Sequence, residues 1–173
     1  VYLFGDSYVS CHSTSSWPYY VYTQGYRFLC DGLPGGYSFH SWEYMKSALS
    51  VHKPKYMIWC LGMNDGSDKL GVNLDWKFYA EKVMDVCEKN NINLIFATIP
   101  SVPTRDNSGK NKFIRSSGYR YVDFDKAVSD GKGNWKMGLL AQDGVHPTEA
   151  GAKVMADAFI NEFAEIKEQN EQD

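Results

Sequence analysis

Three short polar segments of this sequence contain residue types that could carry out chemistry together. The segments are G-D-S-Y at positions 5–8, G-M-N-D at 62–65 and D-G-V-H-P at 143–147. A serine hydroxyl is a poor nucleophile until a neighbouring base removes its proton, and imidazole suits that task because it titrates near neutrality. The first and third segments therefore predict nucleophilic attack by Ser7, with His146 as the base.

Asp143 lies three residues before His146 and is the acid that could orient its ring. A carboxylate bound to the far ring nitrogen would fix the tautomer and stabilise the imidazolium. Residue types alone also allow Ser7 to cap a helix and Asp143 to begin a turn with Gly144. The other histidines lie in a loop or near predicted helix ends, without such an acid: His12, His40 and His52. The spacing favours Ser7, His146 and Asp143 as a triad.

An oxyanion formed by attack on a carbonyl needs hydrogen-bond donors that are already in position. The candidates are the backbone N–H of Ser7, which we expect at a helix start, a glycine N–H in the Gly35-Gly36 turn, and the side-chain amide of Asn64. Asn64 could equally be a turn residue. Asp6 and Asp65 are better suited to organising their loops or capping a helix than to chemistry.

Apolar runs and helical periodicity predict the elements that must position these residues. Strands are expected at 1–4, 26–29, 56–61, 93–99 and 119–124, helices at 41–51, 75–90 and 147–166, and a loop at 101–111. Short strands alternating with helices predict an α/β domain with a parallel sheet. Ligands of such sheets bind beyond the carboxyl ends of the strands, where all three polar segments would meet.

Composition narrows the class of protein. The chain has 173 residues, 43% hydrophobic and 23% charged, with a net charge of −3, which indicates one folded domain over 1–166 and a charged tail over 167–173. Basic residues are scattered, which argues against a nucleic-acid partner. No apolar run is long enough to span a membrane. Oligomeric state is not indicated.

Aromatic residues make up 15% of the chain and cluster just after the first polar segment. One interpretation is an apolar platform beside Ser7, formed by Trp17, Tyr19 and Tyr20, for a sugar ring or an aromatic acyl group. The alternative is packing of a helix into the core, which we expect for about half of the cluster.

The four cysteines have no C-x-x-C spacing, which gives little support to a metal or redox site. Cys60 and Cys87 are expected as buried thiols. Cys11 and Cys30 could pair in an exported protein or stay free. The sequence opens on a strand, without an initiator Met or a signal peptide, so the compartment stays open, with export slightly favoured.

Four short segments follow one another along the chain: G-D-S-Y, a glycine turn after the second predicted strand, G-M-N-D and D-G-V-H-P. In this order they resemble the SGNH (GDSL-type) hydrolases, over nearly the whole chain. The resemblance implies a flavodoxin-like three-layer α/β/α sandwich with a central five-stranded parallel sheet. It also implies a triad of Ser7, Asp143 and His146, an oxyanion hole of Ser7, Gly36 (with Gly35 in reserve) and Asn64, and no metal or cofactor.

The family also implies a serine esterase acting on a small-molecule or glycan ester. Among family substrates, small acyl esters, acetyl groups on carbohydrate in particular, are favoured because the domain is small and no long apolar lid is visible. Alternatives are a lysophospholipase or thioesterase, acyl transfer to a sugar, and a non-catalytic carbohydrate-binding domain. The Ser7 segment is not the G-x-S-x-G elbow, which disfavours the α/β-hydrolase fold.

Overall fold

The computed structural model describes residues 1–170 and contains a five-stranded, all-parallel sheet in the order β2-β1-β3-β4-β5. The strands are β1 Tyr2–Gly5, β2 Leu29–Gly32, β3 Tyr56–Cys60, β4 Asn93–Ala97 and β5 Arg120–Val122. The helices are α1 Trp17–Thr23, α2 Ser38–Val51, α3 Leu74–Lys89, α4 Ser108–Ser116, α5 Phe124–Val128, α6 Glu149–Glu162 and α7 Ala164–Asn170. This strand order is the flavodoxin-like one, so the predicted fold class is confirmed.

Helices cover both faces of the sheet, and this explains why the central strands are apolar throughout. Trp59 of β3 packs against Trp76 of α3, with ring centroids 5.9 Å apart, whereas the next residue, Cys60, lies against Trp17 of α1. Successive strand residues point to opposite faces, so α1 and α3 belong to different layers. Helices α5 and α6 pack in the α1 layer, and α2 packs with α3.

Strand β2 begins three residues later than predicted. It pairs with β1 from Tyr2 opposite Leu29 to Gly5 opposite Gly32, so Asp31 and Gly32, beyond the predicted strand, are extended backbone at the sheet edge. The prediction was wrong because the pairing partner, rather than local residue preference, decides where this exposed edge strand runs.

Helices α2 and α3 lie close to their predicted ranges, and their first residues differ for identifiable reasons. Helix α2 starts at Ser38, whose N–H is bound by the carboxylate of Asp65 from another loop. Helix α3 begins one residue before its predicted start and is capped by the side chain of Asn73, which accepts from Trp76 N.

The stretch 101–111 is not entirely a loop, because α4 begins inside it at Ser108. Lys110 is fully buried and its ammonium binds Asp68, Asn107 and the carbonyl of Gly66. A buried lysine needs such partners, and these come mostly from a distant loop. The polar, glycine-containing sequence could not reveal that this segment is buried and helical.

The last predicted helix is two helices. Thr148 caps α6 by accepting from Gly151 N, which leaves Pro147 just outside the helix rather than in its first turn. The chain leaves helical geometry at Phe163, a fully buried residue, before α7 runs to Asn170. Residues 167–170 of the predicted tail are therefore helical, and 171–173 lie outside the described residues.

The cysteines divide into a pair and two thiols. Cys11 and Cys30 form a disulfide that joins the segment after β1 to β2, while Cys60 and Cys87 are buried and free, as predicted. Within residues 1–170, no helix is both long and apolar enough to cross a membrane.

Candidate active site

Ser7 lies at the tip of a tight turn that follows β1. The Asp6 carboxylate accepts from Tyr8 N at 2.9 Å, and the Asp6 carbonyl accepts from Val9 N at 3.1 Å. These bonds reverse the chain over four residues. The expected helix start at Ser7 is wrong, because α1 begins only at Trp17.

Strand β2 runs directly against this turn. A Cβ on Gly32 would lie 1.5 Å from the carbonyl oxygen of Val9, so the backbones touch at a distance that only glycine permits. Leu33 N also donates to the Gly5 carbonyl at 3.0 Å. The Ser7 turn is therefore held by the sheet edge beside it.

A second tight loop presents His146. Asp143 Oδ1 accepts from Val145 N and His146 N, both at 2.9 Å, and Ala141 N donates to the His146 carbonyl at 2.8 Å. Gly144 takes a φ of +70°, the left-handed turn conformation that favours glycine. The loop is thus closed by its own short-range hydrogen bonds.

The two loops meet in one hydrogen-bonded chain of side chains. Ser7 Oγ lies 2.7 Å from His146 Nε2, and His146 Nδ1 lies 2.6 Å from Asp143 Oδ2. Backbone N–H groups and the imidazole lower the pKa of the Asp143 carboxyl to about 2, although its side chain is 51% exposed. The structure therefore brings together the three residues that sequence analysis singled out.

Tyr8 joins these loops directly, which sequence analysis did not foresee. Its ring is 5% exposed, its hydroxyl donates to the Val145 carbonyl, and its centroid lies 5.9 Å from the His146 ring. Burial raises the pKa of Tyr8 well above its ordinary value, which keeps the hydroxyl a donor. Nothing in the sequence signals this contact, because the partners are 137 positions apart.

Asp6 is the buried carboxyl of the site. It is 3% exposed, and burial raises its pKa to about 7, with a smaller contribution in the same direction from Asp65 and an opposing one from His146. Asp6 holds the turn through its bond to Tyr8 N, consistent with the scaffold role expected for it.

The predicted oxyanion donors differ in their availability. Asn64 Nδ2 donates to the Gly36 carbonyl at 3.0 Å, which orients the amide and leaves its second N–H for another acceptor. The Ser7 N–H makes no hydrogen bond within residues 1–170. The Gly36 N–H, in contrast, donates to the Leu33 carbonyl at 2.9 Å, so this predicted donor is already engaged.

Asp65 fastens the glycine turn to the Asn64 loop. Its carboxylate accepts from Ser38 N at 3.1 Å and from the Ser38 hydroxyl, at the first turn of α2. Burial raises the pKa of Asp65, while the bonds from Ser38 oppose that change. Asp65 thus organises its loop and caps a helix, as its residue type suggested.

The predicted aromatic platform is wrong at Trp17. This ring is fully buried and packs on Phe124 and Phe159, with centroids 5.0 and 5.2 Å away, so it has no surface to offer a ligand. Tyr19 and Tyr20 are half-buried and contact each other at 5.1 Å. A platform role for those two tyrosines stays a prediction.

The three other histidines of the sequence lie in other surroundings. His40 accepts from Tyr37 N at the start of α2, His52 follows the end of that helix, and His12 is exposed. Among residues 1–170, no group of three His, Cys, Asp or Glu side chains could hold a metal ion.

Comparison with solved structures finds several chains of the same shape. A member of the G-D-S-L lipolytic protein family from Veillonella parvula matches with a TM-score of 0.75 at 15% identity, over 94% of this chain and 97% of that one. A catalytic variant of an acetylxylan esterase from Geobacillus stearothermophilus matches with a TM-score of 0.73 at 17% identity, over 93% and 92%. The acetyl xylan esterase AlAXEase gives 0.73 at 19% identity, over 92% and 97%.

No protein-family model matches the sequence, and no curated protein matches it. The solved structures therefore bear on the fold, which they share over more than nine-tenths of both chains. With five parallel strands in the order β2-β1-β3-β4-β5 between two helical layers, the chain has the three-layer α/β/α fold of the SGNH hydrolases, as the resemblance predicted.

Proposed function

We propose that this protein is a serine esterase that hydrolyses small acyl esters through Ser7, His146 and Asp143. The observation that carries the proposal is the continuous hydrogen-bonded chain from the Ser7 hydroxyl through both nitrogens of His146 to the Asp143 carboxylate. Nucleophile, base and orienting acid within hydrogen-bond reach of one another are the arrangement that acyl transfer requires.

Ser7 Oγ attacks the ester carbonyl carbon while its proton passes to His146 Nε2. The bond to the leaving alcohol then breaks, and that oxygen takes the proton from His146, which leaves an acyl group on Ser7. A water molecule next attacks the acyl carbon and gives a proton to His146. The bond to Ser7 Oγ breaks, Oγ regains the proton, and the free acid leaves.

The negative charge on the carbonyl oxygen would be stabilised by the Ser7 N–H and the second N–H of Asn64. Both donors are available, and Asn64 is already oriented by its bond to Gly36. The Gly36 N–H joins them in this proposal only by leaving the Leu33 carbonyl when substrate binds. Preorganised donors matter because each typically contributes about 3–4 kcal/mol to lowering the barrier.

Within this function we favour a short acyl group carried by a carbohydrate. Two of the structural neighbours described above are named acetylxylan esterases.

The primary test is Ser7→Ala assayed with p-nitrophenyl acetate. We expect turnover to fall by at least about 10⁴-fold, as for other nucleophile deletions, with an unchanged circular dichroism spectrum. Ser15→Ala is the matched control, because Ser15 is an exposed serine in the following loop. A serine-directed phosphonate should add its mass to wild type and Ser15→Ala alone. Wild-type turnover in folded Ser7→Ala would disprove the proposal.

The lipid-hydrolase alternative is tested by acyl chain length, since one structural neighbour is a G-D-S-L lipolytic protein. If the acyl group is short, as proposed, p-nitrophenyl acetate should be hydrolysed with a kcat/KM at least about tenfold above that of the octanoate. A higher kcat/KM for the octanoate would favour the lipid assignment.

A further inference from the structure

A groove of about 410 Å³ opens between two loops at the carboxyl edge of the sheet. One wall is 101–103, which follows β4, and the other is 133–138 together with Leu140. Trp135 Nε1 donates to the Ser101 carbonyl at 2.9 Å, which fastens the two walls together. The volume lies within the range of small-molecule sites.

Both walls adjoin segments of the candidate active site. Pro100, next to Ser101, lines a separate cavity of about 10 Å³ together with Asp6 and Tyr8. At the other wall, Leu140 bridges to Pro147, and Thr148 N donates to the Leu139 carbonyl at 2.9 Å. The groove is therefore built on segments that adjoin the candidate active site along the chain, one of which pairs with the loop that presents His146.

The lining favours a neutral, hydroxyl-rich ligand. It combines an indole ring, the exposed amide of Asn134, the exposed thioether of Met137, and backbone of Gly133 and Gly138. Such a mixture suits a sugar, whose ring has an apolar C–H face and a polar rim. A long hydrocarbon chain would require walls without exposed amide and backbone groups.

The charges of the residues that line the groove also favour a neutral ligand. Among residues 1–170, none of those lining the groove is acidic, and the only cationic one, Lys136, directs its ammonium to the Ala127 carbonyl at 3.2 Å. Apart from this one ammonium the lining is neutral, so electrostatics give little selection for an anionic or a cationic ligand.

We propose that this groove binds the sugar units adjoining the acylated one, with Trp135 stacking on a ring and Asn134 hydrogen-bonding its hydroxyls. The proposal rests on the esterase function above and assigns its substrate class as acylated neutral oligosaccharides. Trp135 thereby takes the role that sequence analysis gave to Trp17, from a loop that is distant from Ser7 in sequence.

The test compares two substrates in each variant. Trp135→Ala and Asn134→Ala should lower kcat/KM at least about fivefold on acetylated xylo-, manno- or chito-oligosaccharides, whichever wild type prefers, through lost stacking and hydrogen bonds. The kcat/KM on p-nitrophenyl acetate, which is too small to reach the groove, should stay within about twofold. Trp42→Ala is the control, because Trp42 lies on α2 beyond the groove lining.

Asn134→Ala and Met137→Ala keep the test informative if Trp135→Ala fails to fold, because both side chains are exposed. Unchanged oligosaccharide kinetics in the folded variants, or equal losses on both substrates, would overturn the proposal. If wild type leaves p-nitrophenyl acetate intact, the esterase function fails instead. Calorimetric titration with the same unacetylated oligosaccharides then decides the groove: weaker binding in Asn134→Ala supports it, and no binding to wild type overturns it.

Discussion

Two aspartates flank the Ser7–His146 pair and are perturbed in opposite directions. Asp6 is buried, and loss of hydration raises its pKa to about 7. Asp143 is half-exposed, yet two backbone N–H groups and the imidazole lower its pKa to about 2. The difference shows that burial raises the pKa of one carboxyl while hydrogen-bond donors lower that of the other, so Asp143 is the one that stays ionised beside the histidine.

The loops that carry these aspartates are held by different means. The Ser7 turn is packed against the sheet edge at Gly32, and the disulfide of Cys11 anchors the segment that follows it. The His146 loop is held by its own short-range hydrogen bonds and by the hydroxyl of Tyr8. Core packing fixes the proposed nucleophile, whereas a few polar contacts fix the proposed base.

The largest effect is expected for Asp143→Asn. Its side-chain oxygen can keep both backbone N–H bonds, which turns the amide NH₂ toward His146 Nδ1 and forces the proton onto Nε2. A protonated Nε2 cannot accept from Ser7, so kcat should fall by about 10³–10⁴-fold. Initial rates with p-nitrophenyl acetate test this. Asp106→Asn, another exposed aspartate that binds a nearby backbone N–H, should keep wild-type rates.

Asp6→Asn should change stability in a pH-dependent way. The native pKa of Asp6 is about 7 against an ordinary 3.8, so between these values the folded state binds more protons than the unfolded state. Wild-type stability relative to Asp6→Asn should therefore fall as pH rises through this window, by about 4 kcal/mol at most. Urea unfolding from about pH 4 to about pH 8 measures it.

Asp143→Asn supplies the opposite case. Its native pKa of about 2 lies below the ordinary 3.8, so its contribution to stability is complete above that ordinary value and is lost only as pH falls toward 2. The stability difference between wild type and Asp143→Asn should stay flat over the range where that for Asp6→Asn changes. The same dependence of the stability difference on pH in both variants would contradict the contrast between the two aspartates.

Removing the disulfide should loosen the nucleophile side selectively. Its cysteines are 19 positions apart, and closing a loop of that length contributes about 3 kcal/mol to stability. The free energy of unfolding of the double variant Cys11→Ser, Cys30→Ser, measured by urea unfolding, should be lower than that of wild type by that amount. Hydrogen exchange should rise over 7–16 and stay unchanged over 141–148. Equal increases in both loops would show that they are not held independently.

The smallest effect is expected for Tyr8→Phe, which removes the hydroxyl bound to the Val145 carbonyl. We expect kcat to fall about tenfold at constant KM, because the His146 loop loses one anchor, and stability to fall by about 1 kcal/mol. Tyr26→Phe is the matched control: this buried tyrosine donates to the Phe163 carbonyl at 3.3 Å, 137 positions away. It should lose similar stability and keep kcat. Equal losses of kcat in Tyr8→Phe and Tyr26→Phe would show that the Tyr8 contact contributes to stability alone.

The sequence predicted the fold class, and it singled out three residues that the structure brings together, because both predictions depend on local signals. Apolar runs mark buried strands wherever they pair, and the D-x-x-H spacing places acid and imidazole in one turn. Ser7 was assigned to a helix start, but a turn in which the Asp6 carboxylate binds Tyr8 N forms there instead. In either conformation Ser7 lies just after the end of β1, so its place at that edge of the sheet is the same.

Errors occurred where a distant partner decides local structure. Lys110 becomes buried within a helix only because Asp68 supplies a carboxylate, and β2 shifts only because β1 pairs with Leu29 to Gly32. Trp17 was a candidate platform because its residue type suits a ligand. Contacts with Phe124 and Phe159 make it core instead.

The sequence by itself determined the order of the strands along the chain, the side-chain types present at Ser7, Asp143 and His146, and the contacts closed within a few residues, such as Asp143 with His146. Tertiary structure alone decided the meeting of Ser7 with His146 across 139 positions, the bond of Tyr8 to Val145, and the engagement of Gly36 with Leu33. The physical reason is the separation along the sequence between the groups that interact. Residue type and spacing encode short-range hydrogen bonds and periodicity, whereas burial and long-range partners exist only once the sheet has assembled.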